Sequence, residues 1–249
     1  MMTGRYPIPW KAVYQILFAI IFNRHLAFHK IAKLCLGYLK NPLIVRGNEN
    51  IPTNGPCLLV TNHYTKPGFR SWWITLAISS VVNSQIAWIM TSEWTSPKKL
   101  YTWIITPITH IIFQRIADIF GFFTFPPMPP RLKDVQSRAT SVRRLLKYIK
   151  YTDHPIIGLA PEGQDQSNEG LQAPHKGVGR FIGHISQLGL NIIPVCIYEI
   201  GDQLFLNFGS LYPLKYVNNT DPDEKDRIIS HIVMKSIADL LPQELRGRY

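Results

Sequence analysis

Three short apolar runs, each stopping at a polar turn, constrain this chain more than any other feature. Leu58, Leu59 and Val60 lie between the Gly55-Pro56 turn and a polar segment that opens with Thr61, Asn62 and His63. Ile156, Ile157, Gly158 and Leu159 run into Pro161, Glu162 and Gly163, and residues 191–198 form the third run. Apolar stretches of this length, bounded by Gly and Pro, read as short buried strands. The first strand ends at a histidine at the mouth of a loop. Imidazole titrates nearest neutrality, so His63 is suited to take a proton from a hydroxyl without a large environmental shift. Alone, an Asn-His pair also reads as a simple turn cap.

Helical spacing recurs between the runs. Val135, Ala139, Val142, Leu146 and Ile149 repeat at four and three residues, predicting one face of a helix over 132–150. Its other sides carry Lys133, Arg138, Arg143, Arg144, Lys147 and Lys150. This basic surface is either a solvated face or a docking surface for phospholipid or an acidic carrier protein. A second helix is predicted over 176–188, with Gly177 and Gly179 in its first turn. Backbone N–H groups there would hold a phosphate or a developing anion, or else the glycines serve close packing. Asp221 and Pro222 begin a last helix that reaches Leu241, its apolar face lined by Ile228, Ile229, Ile232, Val233, Ile237 and Leu240.

Residues 43–47 and 204–209 read as strands. Residues 71–92 carry no charge and are long enough to span a bilayer, but Asn83, Ser84 and Gln85 interrupt them. A helix followed by a buried strand is the expected result.

The first 42 residues differ in character. Residues 12–22 are uncharged between Lys11 and Arg24, yet fall short of the about twenty apolar residues needed to cross a membrane. They lead into Asn23, Arg24 and His25 and not into a cleavage site, which argues against a signal peptide. With Lys30, Lys33 and Lys40 behind them, they predict a helical pair lying in an anionic membrane interface, an ordinary core helix being the alternative. The formal charge of +11 suits an anionic partner. No nucleic-acid motif accompanies the basic residues, so the expected partner is a membrane phospholipid surface and not nucleic acid. Cys35, Cys57 and Cys196 lack metal-type spacing, so no metal site is expected, and a reducing cytoplasmic setting fits them.

Taken in order, strand-Asn62-His63, strand-Pro161-Glu162-Gly163, Lys176-Gly177 and Ile193-Pro194-Val195 resemble the PlsC-like glycerolipid acyltransferases (lysophosphatidate acyltransferase-like). Gly47-Asn48-Glu49-Asn50-Ile51-Pro52 fits the segment that precedes the family's histidine motif. The resemblance runs from about residue 45 to 214. It implies an α/β fold, a central mixed sheet flanked by helices, with a membrane-associating segment over 1–42 and the acyltransferase-like domain over 43–249. It assigns His63 as general base, and Asn62, Glu162, Gly163 and Lys176 as substrate-binding. Gly121 to Phe125 resembles the family's second motif, whose basic residue would be Arg131, beyond a proline cluster, or Arg115, upstream.

Two departures accompany the resemblance. The motif aspartate five residues after the histidine is replaced by Gly68, and Gln164-Asp165 follow Glu162-Gly163 where the family has Thr-Arg. Asp118, Asp165 and Glu162 are the possible replacement acids. Without the arginine, the acceptor is either one lacking phosphate or one whose phosphate is held by Lys176 and Arg131. The expected activity moves an acyl group from acyl-CoA or acyl-carrier protein, a cosubstrate and not a bound cofactor, to a hydroxyl of a lysophospholipid, glycerol phosphate or related lipid. The expected place is the cytoplasmic face of a membrane. The alternative is a catalytically silent relative that binds lipid.

Overall fold

A computed structural model describes residues 5–95, 101–163, 170–214 and 221–249. Seven strands form one sheet in the order β1-β7-β6-β2-β5-β3-β4. They are β1 (Ile44–Arg46), β2 (Cys57–Thr61), β3 (Ile86–Thr91), β4 (Phe123–Phe125), β5 (Ile156–Leu159), β6 (Asn191–Ile200) and β7 (Gln203–Phe208). All neighbours pair in parallel except the β6–β7 hairpin, so the sheet is mixed. The expected α/β architecture is the observed one.

The strand that carries His63 sits at the centre. Leu58 pairs with Ile157 of β5 on one side and Ile192 of β6 on the other. All five residues of β2 are buried, as a parallel strand covered on both faces requires. Alternation sends Leu59 to one face and Leu58 and Val60 to the other. The first face is covered by α1 (Trp10–Phe22), α2 (Phe28–Leu36), α3 (Trp72–Val81) and the end of α4 (Thr106–Phe120). The second is covered by α5 (Val135–Tyr151), α6 (Val178–Ser186) and α7 (Pro222–Ala238). Burying one leucine side chain on either face is worth about 1.5–3 kcal/mol.

The uncharged stretch resolves into α3 and β3, as its interrupting polar residues predict. No described helix is long and apolar enough to cross a membrane. β3 pairs beside β5 with Trp88 opposite Gly158, which leaves room for the Trp88 ring where a Cβ would collide with it. The Trp88 indole N–H in turn donates to Ser79 Oγ of α3 at 3.0 Å. At α7 the Asp221 carboxylate accepts from the Asp223 N–H, and Pro222 opens the helix as expected.

α5 is rotated from its expected pose. Leu145 and Ile149 form its buried centre, whereas Val135 is exposed. Its apolar docking runs through the C-terminal half, against Phe123 and the second face. Its first turns therefore leave their apolar positions beside Arg131, Arg138 and Arg143, in a shallow cleft of about 430 Å³.

Candidate active site

The parallel strands β2, β3, β5 and β6 all end at one edge of the sheet, where open α/β folds hold their ligands. β2 delivers His63 there. The residue before it is locked first: Asn62 Nδ2 donates to Ile197 O, and the Ile197 N–H donates to Asn62 Oδ1, both at 2.9 Å. Asn62 is 1% exposed, so its amide acts on β6 and is a positioning group, not the substrate contact the motif suggested.

The β5 turn fixes His63 from the other side. Gly163 N–H bonds Ala160 O at 3.1 Å, closing a turn with Pro161 in its second position, where a fixed φ is favourable. This turn aims the Glu162 carboxylate back under β2. Oε1 accepts the His63 backbone N–H at 2.7 Å, and Oε2 accepts the Gln172 N–H at 2.8 Å. Glu162 is 0% exposed. It therefore staples three chain segments together and is buried away from any acceptor, a correction to its expected substrate-binding role. Each hydrogen bond to such a charged group is worth about 1.5–3 kcal/mol. The imidazole is half-buried, with Nδ1 inside the protein.

Gly68 has a conformational reason to be glycine. Phe69 N–H donates to Lys66 O at 2.9 Å, and Gly68 adopts φ +88°, so Lys66, Pro67, Gly68 and Phe69 form a type II turn. Its missing side chain would start in open space, with no atom within 4 Å of a Cβ. An aspartate here would be strained by its backbone.

These features are a strand-end histidine, its neighbour clamped to β6, and a Pro-Glu-Gly turn bonded to its backbone. A model of the acyltransferase family matches residues 42–198. The chain belongs to the acyltransferase family. Among solved structures it is similar to the 1-acyl-sn-glycerophosphate (LPA) acyltransferase PlsC from Thermotoga maritima, with a TM-score of 0.53 and 15% identity over 86% of this chain and 78% of that one. The sheet and its flanking helices thus have the PlsC fold. No curated protein matches the chain.

The remaining candidates of this acyltransferase separate by place. Arg131 lies at the same sheet edge as His63, beyond β4. Its guanidinium is tied to Asp134 and, at 3.0 Å, to Glu93, whose other oxygen lies 3.5 Å from His110 Nδ1. The Asp134 hydrogen bond foremost, then Glu93, raises its pKa. Arg115 is exposed on α4. Asp118 lies in the last turn of α4, and Phe120 accepts a hydrogen bond from Gln85, which precedes the first residue of β3. That is the opposite edge of the sheet from His63, about five residues away at ~3.3 Å each. Asp118 is therefore not the replacement acid. Asp165 lies outside the described residues.

Lys176 is also engaged elsewhere. Its ammonium sits 2.6 Å from Asp223 Oδ2, at the start of α7. The helix start beside it is already occupied: Asp226 accepts the Gly177 and Arg180 N–H groups, each at 2.8 Å. A buried carboxylate takes the place expected for a phosphate. Gly179 serves packing, since a Cβ would collide with the Asp226 carbonyl. These partners lie some 50 residues downstream, where no local spacing reveals them.

Arg138 is a residue the sequence left among a general basic face. Its guanidinium donates to Pro126 O and Pro127 O, both at 3.1 Å, and reaches Met128 Sδ at 3.5 Å. Met128 packs over Gly163. Arg138 thus holds the proline segment against the Pro-Glu-Gly turn, and burial lowers its pKa. The signal available was a basic helix following a proline cluster.

Proposed function

We propose that this acyltransferase moves a fatty acyl group from acyl-CoA or acyl-carrier protein to a lipid hydroxyl at a membrane surface, with His63 as general base. The observation that carries the proposal is the immobilisation of His63 at the open strand edge, by Asn62 before it and Glu162 beneath its backbone. Such holding places a base in a reactive geometry before substrate arrives. With Nδ1 buried, Nε2 is the nitrogen for the acceptor. It takes the hydroxyl proton as the oxygen attacks the thioester carbonyl. The tetrahedral intermediate then collapses, the C–S bond breaks, and the imidazolium returns the proton to the departing thiolate. The acceptor proposed is a lysophospholipid, glycerol phosphate or related glycerolipid, by likeness to the LPA acyltransferase.

The membrane part of the proposal rests on α1 and α4, which pack together. α1 buries Ala12 and Ala19 while Trp10 and Ile21 stand 85% and 72% exposed, the reverse of a helix in an ordinary core. α4 adds Ile108, Ile111 and Ile112 to the exposed side. Large apolar faces with basic flanks, here Lys11, Arg24 and Lys30, suit an anionic interface at the cytoplasmic side. A lipid-binding relative without turnover is the second reading, and the glycine at 68 is what favours it.

One assay separates the two. Purified protein is given oleoyl-CoA and lysophosphatidate in anionic vesicles, and released thiol is followed. Turnover in the wild type, lost in His63→Ala with vesicle binding retained, is expected. Turnover unchanged by His63→Ala removes the histidine from the mechanism. Vesicle binding with no thiol release from any acceptor would leave the lipid-binding reading.

A further inference from the structure

Glu199, near the end of β6, is a buried carboxylate that the proposed mechanism does not use. Its side chain is 0% exposed. The carboxylate accepts the Tyr6 hydroxyl, lies 3.1 Å from Arg5 Nη2, and lies 2.5 Å from Lys66 Nζ. Tyr64 lies beside this knot: burial raises its pKa, and the Lys66 charge opposes the rise. Phe69 closes the knot from below, edge-on to both Tyr6 and Tyr64 with ring centroids 5.0 and 5.4 Å away.

Stability alone is a weak reason for such a group. Desolvating a carboxylate and its cations offsets most of their attraction, and an apolar replacement is often as stable. The placement supplies another reason. β6 grips the chain on both sides of His63: Ile197 holds Asn62 just before it, and Glu199 holds Lys66 just after. The second grip falls on the loop whose next turn carries Gly68 in place of the motif aspartate.

We propose that Glu199 is a positioning residue for His63, fixing the imidazole through Lys66 where the motif aspartate is absent. This rests on the assignment of His63 as base. Glu199 acts on the loop that follows the ring. The Arg5 and Tyr6 contacts also tie the loop to the segment that leads into the exposed helix α1.

The test uses the full chain with Glu199→Gln, Lys66→Met, Lys66→Arg and His63→Ala. Oleoyl-CoA and lysophosphatidate in anionic vesicles serve as substrates. Glu199→Gln and Lys66→Met are expected to lower kcat roughly a hundredfold, the effect of a small misplacement of a reacting group, with KM little changed. Lys66→Arg is expected to restore turnover. Imidazole ring resonances give a readout that needs no turnover: the signal absent from His63→Ala should shift or broaden in Glu199→Gln and Lys66→Met while the other histidines hold. Where Glu199→Gln fails to fold, the partly exposed Lys66→Met decides. Unchanged kcat and an unchanged His63 signal, with His63→Ala inactive, overturn the role of Glu199 alone. Full turnover in His63→Ala overturns the base assignment and this proposal with it.

Discussion

Glu162 and Asp226 do the same physical work in two regions of the molecule, with opposite consequences for function. Each is a buried carboxylate that accepts two backbone N–H groups at 2.7–2.8 Å, all but that of Gln172 from segments far away in sequence. At α6 the carboxylate fills the helix start and so closes a place where a ligand anion would otherwise sit. At β2 it grips the backbone of His63 from beneath and leaves the imidazole at the sheet edge. A built-in anion ends a binding site in the first region and steadies a candidate base in the second.

Breaking the second grip should have the larger effect on turnover. Glu162→Ala removes the acceptor of both the His63 and Gln172 N–H groups, leaving buried donors at about 1–3 kcal/mol each. Turnover is expected to fall by roughly a hundredfold or more through misplacement of His63, alongside a lower melting temperature. Glu162→Gln sharpens the point, because an amide keeps one acceptor oxygen and should lose less. Thiol-release kinetics and a melting curve on each variant check this. Equal turnover in Glu162→Ala and wild type would mean that the staple does not set the base.

Asp226→Asn should alter stability with little effect on chemistry. An asparagine keeps one acceptor and exchanges the other for a donor facing the N–H groups of Gly177 and Arg180. About 1–3 kcal/mol of stability is expected to be lost. Activity per folded molecule should hold, since Asp226 itself fills the α6 start. Denaturant unfolding at fixed pH measures the first, and turnover normalised to folded protein the second. A selective loss of affinity for a phosphate-bearing acceptor would instead show that α6 contacts substrate after all.

Local pattern carried much of this molecule. The three strands, the helix that follows Asp221 and Pro222, and the split of residues 71–92 into α3 and β3 all follow from short-range periodicity and turn residues. The unusual position at 68 was also visible, and Pro67-Gly68 is the composition of a type II turn, so its backbone reason could have been read as well. What escaped was pairing across the fold. Asp226 with Gly177, Glu199 with Lys66, and Arg138 with the proline segment each join elements that only the sheet order brings together. The pose of α5 escaped for a related reason. A helical period finds an apolar stripe, but the partner surface decides which part docks, and here only the half around Leu145 meets the sheet.

The smallest effect is expected at Lys176, and its smallness sharpens the contrast between a closed anion site and an open one. Its ammonium pairs with Asp223 on the surface, and that hydrogen bond, ahead of the wider field of Lys176 and Arg180, lowers the Asp223 pKa. A carboxyl depressed on folding contributes stability above its unfolded pKa and loses it as pH falls through the folded value. Lys176→Ala should therefore leave melting and turnover at neutral pH essentially unchanged, because an exposed pair is screened by water and salt. Any difference should fade in acid, below the ordinary aspartate pKa of about 3.9, as Asp223 protonates in wild type and variant alike. A pH series of melting curves on the two proteins checks this. A clear rise in KM for a phosphate-bearing acceptor at neutral pH would instead mean that the lysine leaves Asp223 to meet substrate, reopening the site that Asp226 otherwise closes.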